Sequence, residues 1–182
     1  MPQGVGIGPH GHLGLAVGAG TDSVSVIDMR KLQPVKKIIV GKTPHNVRFT
    51  ADGKLAYVTL QGGTGVAVID MRSLAKAGEI AVPGVHGPRN LDLSANGRVL
   101  WARDLSGSVA AVDLETGKEL ALIPAAPGHA GIDVIPGGRY VFTGGIAGHV
   151  VDVIDPATFK VINNHCHARR SRTVVFRAHR SA

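Results

Sequence analysis

The chain has 182 residues, 44% hydrophobic, with 25 glycines and only 4% aromatics, a composition that fits one globular core built from short strands and tight turns better than from long helices. The formal net charge is +7, but five positive charges are Arg169, Arg170, Arg172, Arg177 and Arg180, beyond Asn164 where no acidic residue occurs; the body is left at +2, which argues against a nucleic-acid partner. Cys166 is the sole cysteine, so no intramolecular disulfide forms, and no run approaches the ~20 apolar residues of a membrane-spanning helix.

Along the chain, Met1-Pro2-Gln3-Gly4-Val5 has neither the basic region nor the apolar stretch of a secretory leader, which predicts a soluble chain that is not exported. The stretch from Gly6 through Gly8 to Gly11 satisfies the GxGxxG pattern formally, but it leads into a turn and a strand, whereas a dinucleotide site needs a helix N-terminus at that point. From here a repeat takes over. A β-rich tripeptide ending in aspartate recurs as Val26-Ile27-Asp28, Val68-Ile69-Asp70, Ala111-Val112-Asp113 and Val153-Ile154-Asp155, at separations of 42, 43 and 42 residues. A turn recurs with it: Asp52-Gly53-Lys54, Asn96-Gly97-Arg98 and Gly137-Gly138-Arg139, with His10-Gly11-His12 as a degenerate first copy.

A period of ~40–45 residues made of short strands is that of a four-stranded antiparallel propeller blade. The sequence therefore predicts an all-β fold with four β-propeller blades, at about 4–40, 44–83, 86–124 and 129–163. In the second copy the predicted strands are 46–50, 55–60, 66–70 and 78–82, with 71–76 read as loop. Asp52-Gly53 forms the first hairpin, residues 61–65 the second, and Asp70 caps the third turn by accepting backbone N–H groups; Asp28, Asp113 and Asp155 are assigned the same role.

Tyr57-Val58-Thr59 after Asp52-Gly53-Lys54, followed by Val66-Ala67-Val68-Ile69-Asp70, resembles the YVTN-type β-propeller repeat over residues 4 to about 163, with Gly41-Lys42-Thr43-Pro44 as its connector. The resemblance places the chain in a broad group that includes binding propellers, often periplasmic or secreted, lactonase-like propellers and d1-haem propellers related to cytochrome cd1 nitrite reductase. Segments 87–90, 128–133 and 143–148 are similar to the haem-associated branch, without a ligand set that transfers residue by residue. Such propellers usually close with about seven blades, so four repeats predict part of a larger ring, with open blade edges that favour self-association; the alternative reading is a closed four-bladed ring. After residue 163 the pattern stops. Residues 164–182 form a basic tail, read either as a truncated fifth-blade strand at 173–176 or as a non-native, frame-shifted end.

His10, His45 and His129 are placed just before the innermost strands of blades one, two and four, with His86 three residues early in the third. Loops entering inner strands converge on a propeller's channel, so these histidines are candidates to hold a haem or a metal such as copper or zinc; the competing reading is that a histidine after proline simply caps the connector. His165-Cys166-His167 lacks a second cluster to complete a tetrahedral metal set. Trp101, Arg103 and Asp104 depart from the repeat, Trp101 being the natural filler of a core. No catalytic residue is assigned. The leading expectation is a non-catalytic binding or scaffold propeller that engages a protein or small-molecule ligand at one face; a cofactor-associated propeller comes second, and a lactonase-like hydrolase, without a GxSxG elbow, third.

Overall fold

In a computed structural model, residues 1–129 and 131–166 are described. The basic-tail arginines, His167 and the strand expected at 173–176 lie outside the described residues. Among the described residues, sixteen strands make four antiparallel sheets of four, each built from consecutive strands. The first sheet holds β1 (Pro2–Ile7), β2 (Leu13–Gly18), β3 (Ser23–Asp28) and β4 (Gln33–Ile39). The second holds β5 (Pro44–Phe49), β6 (Leu55–Leu60), β7 (Gly65–Asp70) and β8 (Ala75–Ala81). β9 (Asn90–Leu93), β10 (Val99–Arg103), β11 (Ser108–Asp113) and β12 (Glu119–Pro124) form the third; β13 (Ile132–Val134), β14 (Val141–Gly145), β15 (Val150–Asp155) and β16 (Lys160–Cys166) form the fourth. The only helix among the described residues is a 3-10 turn at Ala19–Thr21, and none is long and apolar enough to cross a membrane. The all-β propeller-blade fold is thus present, each blade a meander of neighbouring strands.

Two turns recur in every sheet, and local chemistry explains both. Between the first and second strands, Gly11, Gly53, Gly97 and Gly138 adopt φ of 69, 69, 68 and 73°, each donating its N–H to the carbonyl three residues earlier, on Gly8, Thr50, Ser94 and Ile135. Only glycine takes that left-handed conformation without cost. Between the third and fourth strands, Asp28 Oδ1 accepts from the amides of Arg30 and Lys31, Asp70 Oδ1 from those of Arg72 and Ser73, Asp113 Oδ1 from those of Glu115 and Thr116, and Asp155 Oδ1 from that of Ala157. These amide bonds hold the carboxyls of Asp28, Asp70 and Asp113 below their ordinary range.

Four residues after each of these aspartates the chain is left-handed: Leu32, Leu74, Gly117 and Phe159 have φ of 54, 52, 70 and 55°. This reversal completes the turn sooner than the sequence suggests. The outer strand of the second sheet therefore starts at Ala75 and not at residue 78, while its inner strand starts at Pro44, two residues ahead of the expected 46.

The described sheets fall into two compact units, one of residues 1–91 and one from residue 92 onward. In the first, Leu15, Val24, Val26, Val47, Val58, Leu60 and Ile69 are buried in one apolar cluster. In the second, Trp101, Val109, Ile123, Ile132, Val141 and Ile154 form another, where the Trp101 ring lies tilted against Phe159 at 5.9 Å between centroids. The middle strands, such as β6, β10, β11 and β15, are buried along nearly their whole length and on both faces, as continuous apolar runs require.

A candidate ligand site at the entry to the inner strands

The three histidines assigned to equivalent positions occupy different ones. His10 lies in the turn after β1, aligned with Asp52, and its Nε2 is 3.3 Å from the Asp52 carbonyl oxygen. His45 is the second residue of β5, at the opposite end of an inner strand from such a turn, and His129 lies in the segment before β13. His10 thus lies in a hairpin turn and not ahead of an inner strand, and the connectors ahead of β5 and β13 differ in length, so position relative to a proline does not preserve strand register. At the His45 position the third repeat carries Arg89, not His86. The arginine was missed, although aligning Pro44-His45-Asn46 with Pro88-Arg89-Asn90 in the sequence exposes it.

In the first unit these two tripeptides come together. β5 pairs with β6 through Pro44 opposite Leu60 and Val47 opposite Val58, so His45 and Asn46 together face the single residue Thr59. This is a β-bulge, the device that re-aims side chains at the end of a ladder. Thr59 is buried; its hydroxyl donates to the Arg89 carbonyl at 2.8 Å and accepts the Asn46 N–H at 2.9 Å. Asn46 Nδ2 donates to Asn90 Oδ1 at 2.7 Å, and its own Oδ1 accepts the Val47 amide. The neighbouring bulge of β1 carries Gly4, where a Cβ would stand 2.7 Å from the His45 carbonyl oxygen, so no side chain fits between the two strands.

His45 and Arg89 are half-buried and bonded twice over. His45 Nδ1 is 2.9 Å from the Arg89 carbonyl oxygen, which can only accept, so Nδ1 carries the hydrogen and Nε2 is left as an acceptor. Arg89 fills that acceptor with two nitrogens, Nε at 3.2 Å and Nη2 at 2.9 Å. Burial draws the Arg89 guanidinium below its usual value. The remaining Nη1 has no partner among the described residues, so the imidazole orients a cation whose outer fork remains available for an oxygen ligand.

Arg103, in the second unit, is buried to 1% exposure and fully engaged. Its Nε donates to the Asp104 carbonyl, Nη1 to the Thr143 hydroxyl at 2.7 Å and to the Gly144 carbonyl, and Nη2 to the carbonyls of Ala126 at 3.2 Å and Gly128 at 3.0 Å. Desolvation lowers its pKa, and the carboxylates of Asp104 and Asp152 push it back up. Asp104 Oδ1 is itself taken up by Ser106, Gly107 and Ser108. Nothing in that cluster is left for a substrate; it is a structural clamp. The indole Nε1 of Trp101 is buried without a hydrogen-bond partner, consistent with a residue chosen for its volume.

The haem or metal suggested by the resemblance does not fit His45, because Nε2 already accepts from Arg89 and Nδ1 is tied to a carbonyl. No three His, Cys, Asp or Glu side chains among the described residues are grouped so as to hold a metal ion. His165 and Cys166 lie in β16. The stretch with the GxGxxG pattern runs from β1 through the turn into β2.

No protein-family model and no curated protein matches the sequence. Among solved structures the chain is similar to Kuenenia stuttgartiensis hydrazine synthase, with a TM-score of 0.81 at 20% identity over 90% of this chain. The match spans 48% of that structure's chain, about half its length, and at this identity it shows the fold alone.

Proposed function

We propose that the protein is a non-catalytic propeller module of the YVTN type that binds an anionic or carbonyl-bearing ligand where β5 and the segment leading into β9 begin, with Arg89 as the contacting cation. The observation that carries this reading is the double bond from Arg89 to His45 Nε2, which holds the guanidinium in place while leaving Nη1 unspent. The same contacts argue against acid–base chemistry: the imidazole has no lone pair to offer, and a guanidinium does not give up its proton at neutral pH. Asn46 and Asn90 are bonded to each other beside the cation and brace the two segments that carry it.

The test is an amide NMR titration of the full chain with inorganic phosphate and with acetate. Shifts at residues 45, 46, 59, 89 and 90 that vanish in Arg89→Gln support the reading. Equal shifts in that variant, or none at millimolar anion, refute it. A visible haem band that appears on adding haemin and disappears in His45→Ala would replace it with the cofactor-associated alternative.

A further inference from the structure

A second recess opens in the first unit at the other end of the strands, where the turn after β1, the turn after β5 and the turn after β7 meet. It encloses about 290 Å³, near the lower limit of small-ligand pockets. Leu13, Phe49 and Met71 form its apolar wall. The Phe49 ring lies against the β1 backbone, where a Cβ on Gly6 would meet it at 3.3 Å, and Met71 is buried to 8% exposure, so the wall is packed from behind. His10 ties one turn to the next through the Asp52 carbonyl, which closes one side.

The charged groups at the rim are Lys54 and Arg72, and no carboxylate lines the recess among the described residues. The two nearby carboxylates are spent locally. Asp52 accepts from Thr50 and pairs with Lys54 Nζ at 3.1 Å, and Asp70 Oδ1 accepts from the Arg72 and Ser73 amides and the Ser73 hydroxyl. The side chain of Arg72 is exposed; its charge is felt by the nearby Asp70 carboxylate, whose hydrogen bonds go to the turn amides and to Ser73 and not to the guanidinium. An apolar wall containing an aromatic ring and a thioether, edged by one exposed guanidinium, is complementary to a flat hydrocarbon group carrying a single negative charge.

We infer that this recess binds a small aryl-alkyl monocarboxylate, its ring against Phe49 and Met71 and its carboxylate on Arg72. The ligand has about ten non-hydrogen atoms, as the volume allows. The site is separate from the Arg89 cluster, and each stands or falls without the other.

Hydrocinnamate is the probe, with hydrocinnamyl alcohol as its uncharged counterpart, in amide NMR titrations of the full chain. The expected result is saturable shifts confined to residues 8–13, 53–54 and 71–72, about tenfold weaker binding of the alcohol, and a similar loss in Arg72→Ala. Arg72 caps its turn through the backbone N–H, so the alanine variant keeps that bond; Arg72→Lys, which retains charge, recovers part of the affinity. Arg89→Gln leaves hydrocinnamate binding unchanged. Equal affinity for acid and alcohol, unchanged binding in Arg72→Ala, or the absence of shifts at these residues at millimolar probe each overturn the proposal.

Discussion

Replacing Arg103 by methionine tests the view that a buried guanidinium clamps the second unit. The substitution keeps a long apolar stem but removes the five bonds to Asp104, Thr143, Gly144, Ala126 and Gly128. The carbonyls of Ala126 and Gly128 are only half-buried and regain water, so little is charged to them. The Gly144 carbonyl, equally half-buried, is discounted in the same way; the buried Thr143 hydroxyl and Asp104 carbonyl each lose about 1 kcal/mol, and the nearly dry Asp104 and Asp152 carboxylates lose their countercharge, giving about 3–5 kcal/mol in all. Against a typical stability of about 5–15 kcal/mol and a urea slope of about 2 kcal/mol per molar, the midpoint falls by about 2 M. Trp101, the sole tryptophan, is buried two residues away in β10 and reports this unit by fluorescence. A cycle with Thr143→Val should show about 1–2 kcal/mol of coupling. A midpoint change worth less than about 1 kcal/mol, or an Arg103→Lys variant as stable as the parent, would refute the clamp.

The turn chemistry gives further predictions. Thr50, the Lys54 amide and Lys54 Nζ hold the Asp52 carboxyl at about 2, down from 3.8, so its stabilising contribution is complete above the ordinary aspartate range and is lost as pH falls through about 2. Asp52→Asn, which mimics the Asn96 of the third sheet, keeps the acceptor without the titration; the advantage of the parent over this variant in urea midpoint should shrink between about pH 4 and pH 2, and a constant difference would contradict the assignment. Leu32 is 74% exposed with φ 54°, so Leu32→Asn, better tolerated in the left-handed region, should stabilise by about 0.5–1 kcal/mol in chemical denaturation. Gly117, at the same turn position with φ 70°, should lose about 1 kcal/mol on conversion to alanine.

What the sequence made legible was the part encoded over short distances. Each Asp-Gly or Asn-Gly turn and each capping aspartate acts on residues two to five positions away, so the period of 42 and 43 residues already contains the four sheets. The candidate site was less accessible, because His45 meets Arg89 across 44 residues and through a bulge. Arg103 stood out as a departure from the repeat, but its partners at 126, 128, 143 and 144 are mostly backbone carbonyls, which carry no residue-type signature. The early start of β8 depended on the left-handed Leu74, a conformation leucine seldom adopts and therefore does not advertise.

The strictly consecutive strand order has a consequence for biosynthesis. Each sheet draws its four strands from one uninterrupted stretch of about forty residues, and every reversal within it is closed by neighbours already made. Within the described residues a growing polypeptide can therefore finish one sheet before the next has left the ribosome, with no strand of these four sheets held in waiting for a distant partner.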